Sequence, residues 1–140
     1  MDLTKLTTDL SDTGAVLELR HPDSADIIEG MTMTMLGVDS EVYAKRAHEK
    51  TVANISRAQK KGRRALDPED LARQNEEATI EDLVALTKGW TGFEEDGVEL
   101  DCSPENVRRI LKTRGLSWIR KQAEDFVNDI GNFISKQSEA

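Results

Sequence analysis

Cysteine is nearly missing from this chain: Cys102 is the one thiol among 140 residues. No internal disulfide can form, and the chain suits a reducing compartment. His21 and His48 lie far apart with no ligand spacing, so the residues for a zinc site are too few. Aromatic residues amount to 4% and prolines to three. Long apolar runs are missing as well. The longest uncharged apolar stretch, around residues 31–38, falls far short of the ~20 residues of a membrane span. The opening Met1-Asp2-Leu3-Thr4-Lys5 lacks the basic-then-apolar pattern of a secretory signal. A cytosolic protein without a membrane partner is the expectation. There is no phosphate-binding glycine loop, no Gly-x-Ser-x-Gly and no His-Glu-x-x-His. The expectation is therefore no enzyme, no catalytic residue, no metal and no cofactor.

What the chain does have is charge. It carries 19 Lys and Arg against 27 Asp and Glu, a formal net charge of −8. A surface this acidic disfavours nucleic acid, whose phosphates need a cationic partner. The average hides blocks: −6 over residues 1–40, +6 over 41–64, −10 over 65–101 and +2 over 102–140. Such blocks mean either solvated faces, or attraction within the chain or between copies.

Residues 1–13 are polar and turn-rich and read as a loose arm. Residues 15–20 alternate like a strand, with Leu17 and Leu19 on one face. A Pro22-Asp23-Ser24 turn follows, and Met31, Met33 and Met35 share one face of a second strand. An antiparallel pair results, too small to stand alone. The Met face reads as core, and methionine's adaptability leaves a partner surface open. Asp39 or Ser40 can cap a helix from about Glu41 to Lys61, stopped at Gly62. Its apolar stripe (Val42, Tyr43, Ala47, Ile55, Ala58) is thin, and its polar side is basic. Asp67-Pro68-Glu69-Asp70 starts another helical stretch. Thr79-Ile80-Glu81-Asp82 resembles a capping box, so residues 68–88 fit one helix or two.

Five of the six aromatic residues lie between Trp90 and Phe133. Trp90-Thr91-Gly92-Phe93 reads as a tight loop, and Asp96-Gly97 as a turn pair whose flanks are acidic for a hairpin. Ser103-Pro104-Glu105 opens a helix with Val107, Ile110 and Leu111 inward. A last amphipathic helix is expected from Ser117 to about Lys136. The fold class is α+β and mainly α-helical: a small N-terminal antiparallel strand pair packed with four or five helices. Residues 1–40 form the arm and strand pair, and residues 41–140 the helical part of one compact unit. Trp90, Phe93, Trp118, Phe126 and Phe133 are the candidate C-terminal core.

The acidic run Glu94-Glu95-Asp96, with Glu99 and Asp101, does not match an EF-hand loop. Cys102 lacks a neighbouring base and reads as a small packed residue. The basic run Lys60-Lys61-Gly62-Arg63-Arg64 has no interleaved aromatics and abuts an acidic block.

The order Trp90-Thr91-Gly92-Phe93, Asp96-Gly97, Ser103-Pro104-Glu105-Asn106-Val107, Ile110-Leu111 and Asp129-Ile130-Gly131-Asn132-Phe133-Ile134 resembles the tail assembly chaperones of siphophages and prophages. The resemblance covers roughly residues 80–135. It implies a non-catalytic protein that binds the helical tape measure protein during tail morphogenesis in the bacterial cytoplasm and is absent from the mature virion. It also implies a homo-oligomer, with this chain as the short form of a pair made by ribosomal frameshifting. Met31, Met33, Met35, Tyr43, Lys45, Arg46, Lys50 and Arg57 are then the candidate self-association or client surface. Two alternatives compete: a tail or connector structural protein, and a small DNA-associated regulator using Lys60 to Arg64.

Overall fold

The structure is a computed structural model and describes residues 2–60 and 68–134, with the side chains of residues 57–60 excepted. Gly62, the Lys60–Arg64 run and the C-terminal tail from residue 135 therefore lie outside it or reach beyond its described side chains. Among the described residues the chain is 57% helical, with five α-helices and a small antiparallel sheet. This is the mainly α-helical α+β fold that the pattern predicts.

The elements run α1 (Leu10–Thr13), β1 (Ala15–Arg20), β2 (Ile27–Met35), α2 (Glu41–Lys60), α3 (Pro68–Leu86), β3 (Thr87–Thr91), β4 (Glu94–Glu95), β5 (Val98–Glu99), α4 (Pro104–Lys112) and α5 (Ser117–Asn128). Short 3₁₀ turns lie at Leu3–Lys5, Arg114–Leu116 and Ile130–Phe133. β1 pairs antiparallel with β2 in a register that sets Leu17 opposite Met33, and the pairing shifts between Glu18 and Arg20.

The strand pair has a third member. Residues 87–91, read as a helix end and a loop, form β3 on the far side of β2, with Met33 opposite Trp90 and Thr32 opposite Thr91. The Thr32 and Thr91 hydroxyls hydrogen-bond at 2.7 Å. Pairing with β2 overrides the loop signal of Gly89 and Gly92, since strand preference is set mostly by neighbours. Gly92 is required where the chain leaves the sheet. Its φ is +76°, and a Cβ there would stand 2.3 Å from the Gly30 carbonyl oxygen.

The N-terminal arm is docked rather than loose from residue 8 onward. Thr8 Oγ1 donates to Asp39 Oδ2 at 2.9 Å, the Gly37 amide to the Ser11 carbonyl at 2.9 Å, and the Glu41 amide to Asp12 Oδ1 at 2.8 Å. Ser11 is buried. Ser40 caps α2: its buried Oγ accepts from the Tyr43 amide at 3.2 Å and donates to the Gly37 carbonyl at 2.6 Å.

Residues 68–86 are one helix. Thr79 does not begin a new one; its hydroxyl donates back to the Asn75 carbonyl at 3.0 Å, four residues earlier. Ser103 caps α4, accepting from the Asn106 amide at 3.2 Å with Pro104 in the first turn. α5 ends eight residues before the expected Lys136. The Asn132 side chain donates to the Phe126 carbonyl at 3.0 Å, satisfying a group of the last turn, and Asp129 Oδ1 accepts from the Gly131 amide at 3.1 Å. The 3₁₀ turn that follows swings Phe133 back inside and leaves Ile130 exposed.

One hydrophobic core takes Leu19, Met33 and Met35 from the sheet, Ile80, Leu83 and Leu86 from α3, Val107, Ile110 and Leu111 from α4, and Ile119, Ala123 and Val127 from α5, closed by Phe93 and Phe133. The strand pair and the helices thus share a single interior.

Candidate functional site

The residues expected to form one surface are divided by the fold. Met33 and Met35 are fully buried, both at 0% exposure, because the alternation that aligns them also turns them into the core shared with the helices. The methionine face is core, and as a surface patch it is corrected; Met31 alone is half-buried at its margin. Tyr43 is half-buried against the same core, and Lys45 is exposed. The side chain of Arg57 lies outside the described residues.

Arg46 and Lys50 are turned inward to a single carboxylate. Arg46 Nε lies 3.0 Å from Asp82 Oδ1, and Lys50 Nζ lies 2.8 and 2.7 Å from its two oxygens. Asp82 keeps only 16% side-chain exposure. Arg46 and Lys50 sit one helical turn apart on α2, so both reach one point of α3.

Two more helices bring cations to α3. Arg108 of α4 grips Glu81 in a two-pronged pair, 2.6 Å from Nε and 2.8 Å from the second nitrogen. That contact holds the Glu81 carboxyl below its ordinary value and raises the Arg108 guanidinium. Arg120 of α5 bonds Glu76. A further pair joins α4 to the β4–β5 hairpin, Arg109 to Glu95 at 2.9 Å, and lowers the Glu95 carboxyl through that hydrogen bond. The acidic block therefore receives the basic helix of its own chain, together with cations from α4 and α5.

The aromatic set divides by depth. Phe93 and Phe133 are buried; Trp90, Trp118 and Phe126 are half-buried and pack against the core. Trp90 stacks on Phe93 with centroids 4.2 Å apart, and its indole N–H donates to the Leu100 carbonyl at 2.9 Å. Phe126 meets Phe133 edge-on at 5.5 Å. The Asp96-Gly97 pair does make a hairpin turn: both residues have positive φ, +53° and +80°, as a type I′ turn requires. Glu94 stands opposite Glu99 in that hairpin.

Among the described residues no group of three or more His, Cys, Asp or Glu side chains is placed to hold a metal ion. Burial pushes the Cys102 thiol above its ordinary value, away from the reactive thiolate. Two concave features share Trp118 in their walls. A cavity of about 500 Å³ lies between β1 and α5, walled by Leu17, Trp118, Gln122 and Phe126 and reached by Arg20 and His21. A smaller one of about 300 Å³, on the other side of Trp118, is lined by Ile28, Met31, Leu116 and Ile119. The sequence reading did not single out this groove. One signal pointed to it: Gln122 is a polar residue on the Trp118–Phe126 stripe, where an apolar one is expected.

Fold and site together define a class: a small helical α+β domain with an ion-paired central helix and an apolar groove. Comparison with protein-family models, with curated proteins and with solved structures finds no match for the chain. No helix among the described residues is long and apolar enough to cross a membrane.

Proposed function

We propose that the chain is a non-catalytic tail assembly chaperone of the siphophage and prophage kind, which binds the tape measure protein in the bacterial cytoplasm before the tail tube polymerises. One observation carries this reading. The residues whose order resembles that family, from Trp90 to Phe133, pack as one unit: the Trp90–Phe93 stack, the Asp96-Gly97 turn, the Ser103 cap and the Phe133 plug. A motif that encodes packing suits a binding protein better than an enzyme. The surface offered to a helical client is the back of α2, where Val52 and Ile55 are 52% and 54% exposed. An amphipathic helix would bury these residues in a helix-against-helix contact.

Co-expression with the tape measure protein tests the reading. The two should co-purify, and Val52→Asp with Ile55→Asp should abolish capture while leaving helix content intact. Purified virions should lack the chain; finding it there would favour a structural tail or connector protein. A slippery heptamer with an overlapping frame beyond the stop codon would add support for the family.

A further inference from the structure

β1 is the edge of its sheet, whose order is β1–β2–β3 among the described residues. A side chain closes one end of that edge. Gln122 of α5 accepts from the Arg20 amide at 2.9 Å through Oε1 and donates to the Arg20 carbonyl at 2.8 Å through Nε2. This donor and acceptor are what a neighbouring strand would present, so the amide stands in for one residue of a fourth strand. Strand alternation turns the main-chain groups of Val16 and Glu18 to the same side as those of Arg20, while the Leu19 side chain enters the core. Exposed edge groups are a template for another extended chain.

The 500 Å³ cavity runs along this edge. Its walls are apolar at Leu17, Trp118 and Phe126, and its rim carries the carboxylates of Glu18, Asp125 and Asp129. None of these three forms an ion pair among the described residues, unlike the paired carboxylates of α3. Lys121 and Arg20 offset part of that charge, and Arg20 is engaged with the Ala25 carbonyl at 3.0 Å.

We propose that the β1 edge and this cavity bind an extended, basic segment of a partner protein. The segment adds as a strand along Val16 and Glu18. It sets one large apolar side chain against Trp118 and Phe126, and a flanking lysine or arginine faces Asp125 and Asp129. A helix has its central main-chain groups already paired and cannot use the edge, so this site is separate from the client surface on α2 and does not rest on the tape measure reading. Gln122 holds the last position of the edge and yields it when the strand extends to Arg20.

The test is a titration of the full ¹⁵N-labelled chain with a blocked heptapeptide that alternates threonine and valine, with a central phenylalanine and a lysine at each end. Saturable shifts at the Val16 and Glu18 amides and the Trp118 indole are expected. Replacing both lysines by glutamate should weaken binding by about tenfold, and N-methylating the strand-facing amides should abolish it. Gln122→Ala should tighten binding about threefold by freeing Arg20. Val16→Pro removes only an outward N–H, so it should keep the fold and lose the peptide. No shift at millimolar peptide overturns the proposal, as does equal binding of the N-methylated or glutamate peptide. Protection of the Val16 and Glu18 amides that rises with chain concentration, without peptide, overturns it in favour of a second copy on the edge. Should Val16→Pro unfold, the N-methylated peptide on the unmodified chain decides the question.

Discussion

Asp82→Asn should loosen α2 from the molecule while the core survives. Among the described side chains of α2, Tyr43 is the half-buried apolar residue packed on the core, and the Asp82 contact adds to that docking. The carboxylate accepts three hydrogen bonds between 2.7 and 3.0 Å from two cations. Asp82 is 16% exposed, Arg46 30% and Lys50 43%, so the site is neither dry nor freely solvated. Exposed pairs contribute roughly 0.2–1 kcal/mol, and breaking a buried pair costs about 3–5 kcal/mol. Two half-buried pairs sharing one anion place the loss at about 1–2 kcal/mol, or a fall in Tm of about 3–8 °C for a chain of this size. Urea unfolding followed by circular dichroism measures the total. Amide exchange locates it: residues 44–56 should lose protection first, with Leu83 and Leu111 unchanged. A cycle of Asp82→Asn with Lys50→Met should show a coupling of about 0.5–1 kcal/mol that shrinks in high salt. Additive effects, or equal loss of protection in α2 and the core, would refute the reasoning.

Other outcomes follow from the same packing. Phe133→Ala removes a ring that is 1% exposed and its edge contact with Phe126, at a cost of about 3–5 kcal/mol read by urea unfolding. Gly92→Ala would force a Cβ to 2.3 Å from the Gly30 carbonyl at a positive φ; a loss of about 1–3 kcal/mol and faster exchange at Thr91 are expected. Glu81 and Glu95 have folded values below their unfolded ones, each held down chiefly by its arginine hydrogen bond. Their contribution is therefore present above the ordinary glutamate value and is lost as the pH falls through the lowered folded values. A melting series from pH 6 to 3 on the Glu81→Gln and Glu95→Gln double variant should show a shallower acid decline than the native chain.

Much of the fold was legible where a local rule coincided with the tertiary answer. The alternation of residues 15–20, the Ser103 cap and the proline at position 104 each read correctly because their partners lie within a few residues, and the cap of α2, open between Asp39 and Ser40 in the sequence, is Ser40. β3 was hidden because residues 87–91 have no strand pattern of their own and gain one by pairing with β2. The end of α5 was hidden because the apolar spacing continues through Ile130 and Phe133. Only the Asn132 bond to Phe126 and the return of Phe133 to the core show that the helix stops. The charge blocks were plain in the sequence, but which block met which was not. Periodicity cannot say that Arg46, Arg108 and Arg120 converge on one helix. The groove beside β1 depends on contacts across 102 positions, from Arg20 to Gln122, and local sequence does not report those.

The central helix carries a directional code. Glu76, Glu81 and Asp82 project from α3 at angles roughly 100°, 120° and 140° apart, given about 100° per residue. Each direction addresses a different neighbour: α5, α4 and α2 in turn. Rotating α3 by a single residue, about 100°, would misdirect all three at once. The apolar face supplies the adhesion and the anions set the heading. A design that inverted every charge on α3 and on its three neighbours together should keep that heading, and one that inverted α3 alone should lose it.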